Sequence, residues 1–372
     1  MNSRILGRAF RCSECAVRIP GRGISIQQRT FSSSSIRQKH GAVPAFTEVS
    51  SPELQDLLTK LRERLFLPAH LSKGQQDLIF KPKYEKSLEV EPVTAIIAGE
   101  EFRLKHINIV KDVPGTTKSL RRALKLMKEK RDWDNLPNLL RGLRTVGFRF
   151  GRIRPETLVR KAGSAGRQDV ILECLRRADE TGLTLTDPLF VVQVFFWIQQ
   201  KAMASNWDAE ETKKALHWAE MVKEMMEDPK HHAPEGSKSV AQLHEVNGIL
   251  LELAAVRAVK QQGGKDGEGK VEKYALELLA SPRDFEPREE ASSGQNYWLS
   301  TNTPGLHGMK LAQTVLGPTS ELSIGLKGMC EALEPLLSAS RDELFEHSKL
   351  HSKEDQYSGV RIFDELLGPN AS

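Results

Sequence analysis

Arg121, Arg122, Lys125 and Lys128 recur at helical spacing, so much of one face of the helix that carries them is cationic. Arg141 and Arg144 stand three apart on the next expected helix. Arg149, Arg152 and Arg154 fall in the connection after it, and Arg160 lies on the helix beyond. Cations at this density attract phosphates and displace their counterions, which gives salt-dependent, sequence-tolerant binding. Arginine adds bidentate pairing with a phosphate. Ordinary solvated helix faces are the competing reading, because basic helical faces are common.

Other reactive residue types lack the companions that chemistry requires. Cys12 and Cys15 form one C-x-x-C with no second pair, whereas a structural zinc site needs four ligands. His347 and His351 are four apart beside Glu346, but no third ligand and no metalloprotease signature accompany them. His231-His232 lies in a Pro-flanked stretch that reads as a solvent-exposed loop. Cys174 and Cys330 sit at apolar positions and read as buried thiols. Gly163-Ser-Ala-Gly-Arg lacks the Lys-Ser/Thr ending of a phosphate-binding loop and reads as a helix–helix turn. The sequence therefore supports no enzyme, no metal and no cofactor.

Charge is distributed unevenly. Residues 1–31 hold six arginines and one acid, Glu14, which accounts for the whole formal excess of +5. Arg-rich, Ser-rich, acid-poor composition marks a mitochondrial transit peptide. Arg29-Thr30-Phe31-Ser32 is similar to arginine-anchored processing signals, and a serine run, Ser32 to Ser35, follows. The expected location is the mitochondrial matrix. Beyond residue 31 the chain is nearly neutral, yet residues 103–167 carry 18 Lys or Arg against 5 Asp or Glu. Residues 168–372 carry 21 against 33. Such asymmetry points to nucleic acid for the basic part. The acidic half would meet a protein partner or the basic half itself. The apolar stretch Phe190–Ile198 is too short to span a membrane and reads as a buried helix.

The elements that position the cations come from an internal echo. Arg122 through Gly147 and Thr157 through Gly182 are in register 35 residues apart. Ala123/Leu158, Leu124/Val159, Met127/Ala162, Leu136/Ile171, Leu140/Leu175 and Leu143/Ala178 match as apolar pairs. A period in the thirties signals stacked helix pairs, which bury their apolar faces on their neighbours. Gly147 and Gly182 fall where each second helix must end. Helix starts are expected near Thr117, Asp134, Pro155, Arg167, Asp187, Asp208, Ser237, Glu268, Ser320 and Lys353. An earlier helix runs from Ser51, a capping residue before Pro52, to about Leu67. A short β-hairpin is expected around Gly99.

The second repeat, with Leu158-Val159, Ser164-Ala-Gly-Arg167 and Gly182-Leu183, resembles a pentatricopeptide repeat. Tetratricopeptide repeats share the period. The resemblance implies an all-α fold, a right-handed α-solenoid of degenerate helix-turn-helix units, here joined to the small N-terminal β-hairpin. It also implies single-stranded RNA, with one base per repeat read by two or three side chains. Carried over, the reading positions fall on Arg121 with Gly151 and on Glu156 with Thr186, or Asp187 in a register shifted by one. The family favours a small polar residue first and Asp or Asn last. This chain departs at both, so backbone contact is the reading that survives.

The expected organisation is a transit peptide over 1–31, a flexible lead-in over 32–50, and a helix and hairpin over 51–116. Helical repeats over 117–280, a long loop over 281–319 and C-terminal capping helices over 320–372 follow. Pro335 should bend or end the first capping helix. Two functions remain open. One is mitochondrial RNA binding, to mRNA or rRNA, in RNA processing, stability or translation, with the mitochondrial ribosome as one setting. The other is a protein-binding scaffold, such as a respiratory-complex assembly factor or a structural protein of that ribosome.

Overall fold

Ser51 starts the first helix: its side chain accepts from the Leu54 N–H, and Pro52 occupies the first turn, where a missing donor costs nothing. The structure is a computed structural model that describes residues 41–151, 153–232, 240–282, 285, 292–350 and 357–368. Helix α1 (Pro52–Leu61) buries Leu54, Leu57, Leu58 and Leu61. It continues through one wider turn, Arg62–Phe66, into α2 (Leu67–His70). A capping box of Ser72 and Gln75 opens α3 (Lys73–Phe80), and α4 (Glu85–Val90) follows.

The expected hairpin is present. Strands β1 (Thr94–Ile97) and β2 (Glu100–Arg103) pair antiparallel, Ala95 opposite Phe102 and Ile97 opposite Glu100. Ala98 and Gly99 form the two-residue turn with φ of 50° and 84°. Positive φ at both positions matches the twist of the flanking strands.

The rest of the described chain is helical. In order come α5 (Thr116–Leu126), α6 (Lys130–Trp133), α7 (Leu136–Thr145), α8 (Glu156–Ser164), α9 (Gln168–Arg176) and α10 (Ala178–Thr181). Then follow α11 (Pro188–Ala204), α12 (Ala209–Met225), α13 (His244–Gln261) and α14 (Lys270–Ala280). The last three are α15 (Ser292–Leu316), α16 (Glu321–Leu350) and α17 (Ser358–Leu367). All twelve residues of the six matched apolar pairs are buried. Gly147 and Gly182 both have positive φ, 85° and 74°, at the ends of the second helices. Helix α8 packs on α11, α7 on α9 and α10, α9 on α12, and α11 on α12 and α13. Gly163 lets α8 approach α11, since a Cβ there would enter the Trp197 ring.

Three expectations need correction. Residues 281–319 are not a long loop: α15 occupies Ser292–Leu316, 25 residues, and makes its most extensive contact with α13. The loop-like composition is that of a closely packed helix. Gly305 and Gly308 let the two backbones touch, and a Cβ on Gly308 would lie 2.6 Å from the Glu252 nitrogen. Thr301 and Thr303 are buried and donate their hydroxyls to carbonyls four residues back, at 3.0 and 2.7 Å. Their polarity is thereby satisfied inside the helix.

Pro335 neither ends nor divides its helix, because α16 runs on to Leu350. An interior proline costs about 3 kcal/mol. Leu333 and Leu337 are buried on either side of it, on a helix that packs against α14, α15 and α17.

The lead-in is anchored over residues 41–50, while residues 1–40, including the expected transit peptide, lie outside the described residues. Val43 and Val49 are buried. Thr47 N–H donates to Asn135 Oδ1 (2.8 Å), Ser50 N–H to Asp132 Oδ1 (2.7 Å) and Asn138 Nδ2 to the Ala45 carbonyl (2.9 Å). Nothing in the composition of 41–50 announces this, because the anchoring groups lie 82 to 93 residues away.

Candidate nucleic-acid interface

Helix α5 has two opposite faces. Ser119, Leu120, Ala123 and Leu124 are buried, and the helix packs on α1. Lys118, Arg121, Arg122 and Lys125 are exposed. At 3.6 residues per turn these four cations lie within an arc of about 100°. The helix holds no acid. Like charges three and four apart cost an isolated helix about 0.2–0.5 kcal/mol per pair, so this face stabilises nothing by itself. Lys118, Arg122 and Lys125 form no ion pair among the described residues. Lys118 escaped the sequence reading, although its spacing of four from Arg122 and seven from Lys125 carries the signal.

The other expected contacts are distributed differently. Lys128 is exposed just past the end of α5. Arg141 and Arg144 stand on α7 and are half-buried. The stem of Arg144 covers Gly182, where a Cβ would lie 3.2 Å from Arg144 Cδ, so this arginine takes part in packing between repeats. Arg149 is exposed and donates to the neighbouring Phe148 carbonyl (2.9 Å). Arg154 and Arg160 are exposed, and Arg152 lies outside the described residues. Glu156 is half-buried, 3.9 Å from Arg154. Thr186 shares a hydrogen bond with Thr184 (3.2 Å), and Gly151 has no side chain to offer. Asp187 caps α11, accepting from the Phe190 N–H at 3.0 Å.

A second basic residue is structural. Arg167 is only 5 % exposed. It pairs with Asp134 (2.6 Å) and Asp169 (2.8 Å) and donates to the Lys130 carbonyl. Burial opposes its charge, but these two carboxylates outweigh that and raise its pKa. It therefore joins the turn before α9 to the segment between α6 and α7.

Among the described residues the two charge-rich halves meet in one ion pair, the local contact of Arg167 with Asp169. Among the described residues, no ion pair joins residues 103–167 to residues beyond 169. Acids of the C-terminal half pair locally instead: Glu220 with Lys270, Glu268 with Arg257, Glu334 with Lys310 and Asp364 with Arg341.

The histidines and cysteines fall into place. His231 is buried rather than exposed, a correction to the loop reading: its Nδ1 accepts from the Leu185 N–H at 3.2 Å. Burial, then the Lys230 charge, lowers its pKa. His347 meets the Tyr357 hydroxyl at 2.9 Å, and His351 lies outside the described residues. Cys174 and Cys330 are buried, and burial pushes both thiols up, Cys330 to about 11. Among the described residues no group of three or more His, Cys, Asp or Glu could hold a metal ion. No helix there is long and apolar enough to cross a membrane.

A family described as "Mitochondrial ribosomal protein mS27" matches residues 29–362. A curated relative from Neurospora crassa, "Small ribosomal subunit protein mS27", is 37 % identical over 248 residues. That alignment covers 63 % of this chain and 63 % of the relative's length. Both findings favour the ribosomal form of the scaffold reading over a dedicated RNA-processing factor.

Proposed function

Since this chain belongs to the mitochondrial ribosomal protein mS27 family, we propose that it is a non-catalytic structural component of the small subunit of the mitochondrial ribosome. The match over residues 29–362 carries this reading. The helix pairs form a degenerate right-handed solenoid, a scaffold of the kind that presents an extended surface to a long partner. Its basic segment lies against ribosomal RNA phosphates, chiefly through Lys118, Arg121, Arg122 and Lys125 on α5, supplemented by Lys128, Arg149, Arg154 and Arg160. Residues 1–31 serve as the presequence that directs the chain to the matrix. Their composition supports this, as does a family match that begins only at residue 29. The acidic C-terminal helices face neighbouring proteins.

Gradient sedimentation of mitochondrial lysates tests the proposal. The chain should travel with the small subunit and remain with it through a high-salt wash. Recovery at the top of the gradient, while other small-subunit proteins stay with the particle, would overturn it.

A further inference from the structure

We infer that the α5 face receives a base-paired RNA helix by its phosphate backbone, and that it reads no unpaired base. This deepens the ribosomal reading and rests on it. Lys118, Arg122 and Lys125 project from one side of a continuous helix and span about 10 Å along its axis. A rigid row of cations matches a rigid row of phosphates. An RNA duplex hides its base edges in a deep, narrow groove, so proteins hold it by shape, phosphate and 2′-hydroxyl.

Two further observations count against a single strand. Sequence-tolerant single-strand binding combines cations with exposed aromatic rings on which bases stack. The basic segment 103–167 has three aromatic side chains, Trp133, Phe148 and Phe150. Trp133 and Phe148 are buried, and Phe150 packs edge-on against Phe148 with ring centroids 5.4 Å apart. The cations thus have no fully exposed ring within their own segment, Phe150 and His106 being half-buried. Of the four positions that would read bases, Arg121 belongs to the α5 cationic face and the other three are spent. Gly151 offers no side chain, Glu156 is acidic and sits beside Arg154, and the Thr186 hydroxyl is bonded to Thr184.

Fluorescence anisotropy on the purified full-length chain tests this, with three probes: a 20-base-pair RNA duplex, one of its strands alone, and a duplex of unrelated sequence. Both duplexes should bind equally, at least tenfold more tightly than the strand. The double variant Arg122→Glu, Lys125→Glu should weaken duplex binding tenfold or more and reduce the salt slope by about two phosphate contacts. Its thermal midpoint should not fall, because each new glutamate lies three or four residues from a remaining cation. A strand that binds as tightly as the duplex would overturn this inference while leaving RNA contact intact. An unchanged duplex affinity in the variant would remove the site from α5. Capture of a polyglutamate peptide, with no RNA bound, would overturn both this inference and the RNA contact of the ribosomal reading.

Discussion

Four hydrogen bonds converge on the buried carboxylate of Asp132, from the Ser50 N–H and hydroxyl and from the N–H groups of Lys128 and Glu129. Burial alone would raise its pKa, but these donors outweigh burial and hold it below the usual carboxylate range. The sign follows: this stabilisation is complete above the unfolded value of about 3.9 and is lost as pH falls through the lower folded value. Asp132→Asn should cost about 1–3 kcal/mol at neutral pH, since an amide turns one acceptor into a donor facing donors. Urea titration at several pH values should also show a shallower acid limb. Glu252 has the opposite sign. It is fully buried between α13 and α15, with one oxygen 2.7 Å from His307 Nδ1. Burial raises its pKa above 4.5 against the opposing pull of His307. Between the unfolded and folded values the native state holds the extra proton, so stability falls as pH rises through that window. Glu252→Gln should leave the neutral-pH melting temperature unchanged or higher and flatten that decline. A clear loss of stability at neutral pH would show that the ionised carboxylate is needed.

Close helix approach is the main device at the level of elements. Gly248 of α13 meets Gly305 of α15, and one turn along Gly308 meets the backbone of Glu252. Gly308→Ala must part the two helices and should cost about 1–3 kcal/mol. Gly328 on α16 has open space where a Cβ would go, and Gly328→Ala should stabilise by about 0.5–1 kcal/mol through helix propensity. Denaturant midpoints that move in the same direction would refute this assignment of the α13–α15 contact. These helices were legible because apolar spacing is a local signal: helix starts at Thr116, Glu156, Gln168, Pro188 and Ala209 fall within one residue of the expected positions. Helix α15 was not legible, because its Ser, Thr, Asn, Gly and Pro content mimics a loop until α13 is placed beside it.

At the scale of the molecule, the segment before α1 ties the N-terminal module to the first repeat. Its bonds reach Asp132, Asn135 and Asn138, and Arg62 Nε donates back to the Pro44 carbonyl at 3.1 Å. A chain beginning at residue 51 should melt several degrees below one beginning at residue 41, having lost two buried valines and the partners of Asp132 and Asn135. Equal melting temperatures would reduce the strap to a surface ornament. The charge partition also belongs to this scale. Because C-terminal acids pair with C-terminal bases, Lys118, Arg122 and Lys125 of α5 retain their field for an outside partner.

The sequence by itself determined the helical class, the two matched repeats, the hairpin at Gly99 and the cationic stripe. Each of these depends on spacing within one element or on a period along the chain. Only the tertiary structure decided which arginines remain available. It sent Arg167 into an ion-paired joint and Arg144 over Gly182, while leaving Lys118, Arg122 and Lys125 exposed. Exposure depends on what another part of the chain places beside a residue, and Arg144 lies over a glycine 38 positions away, which no local pattern reports.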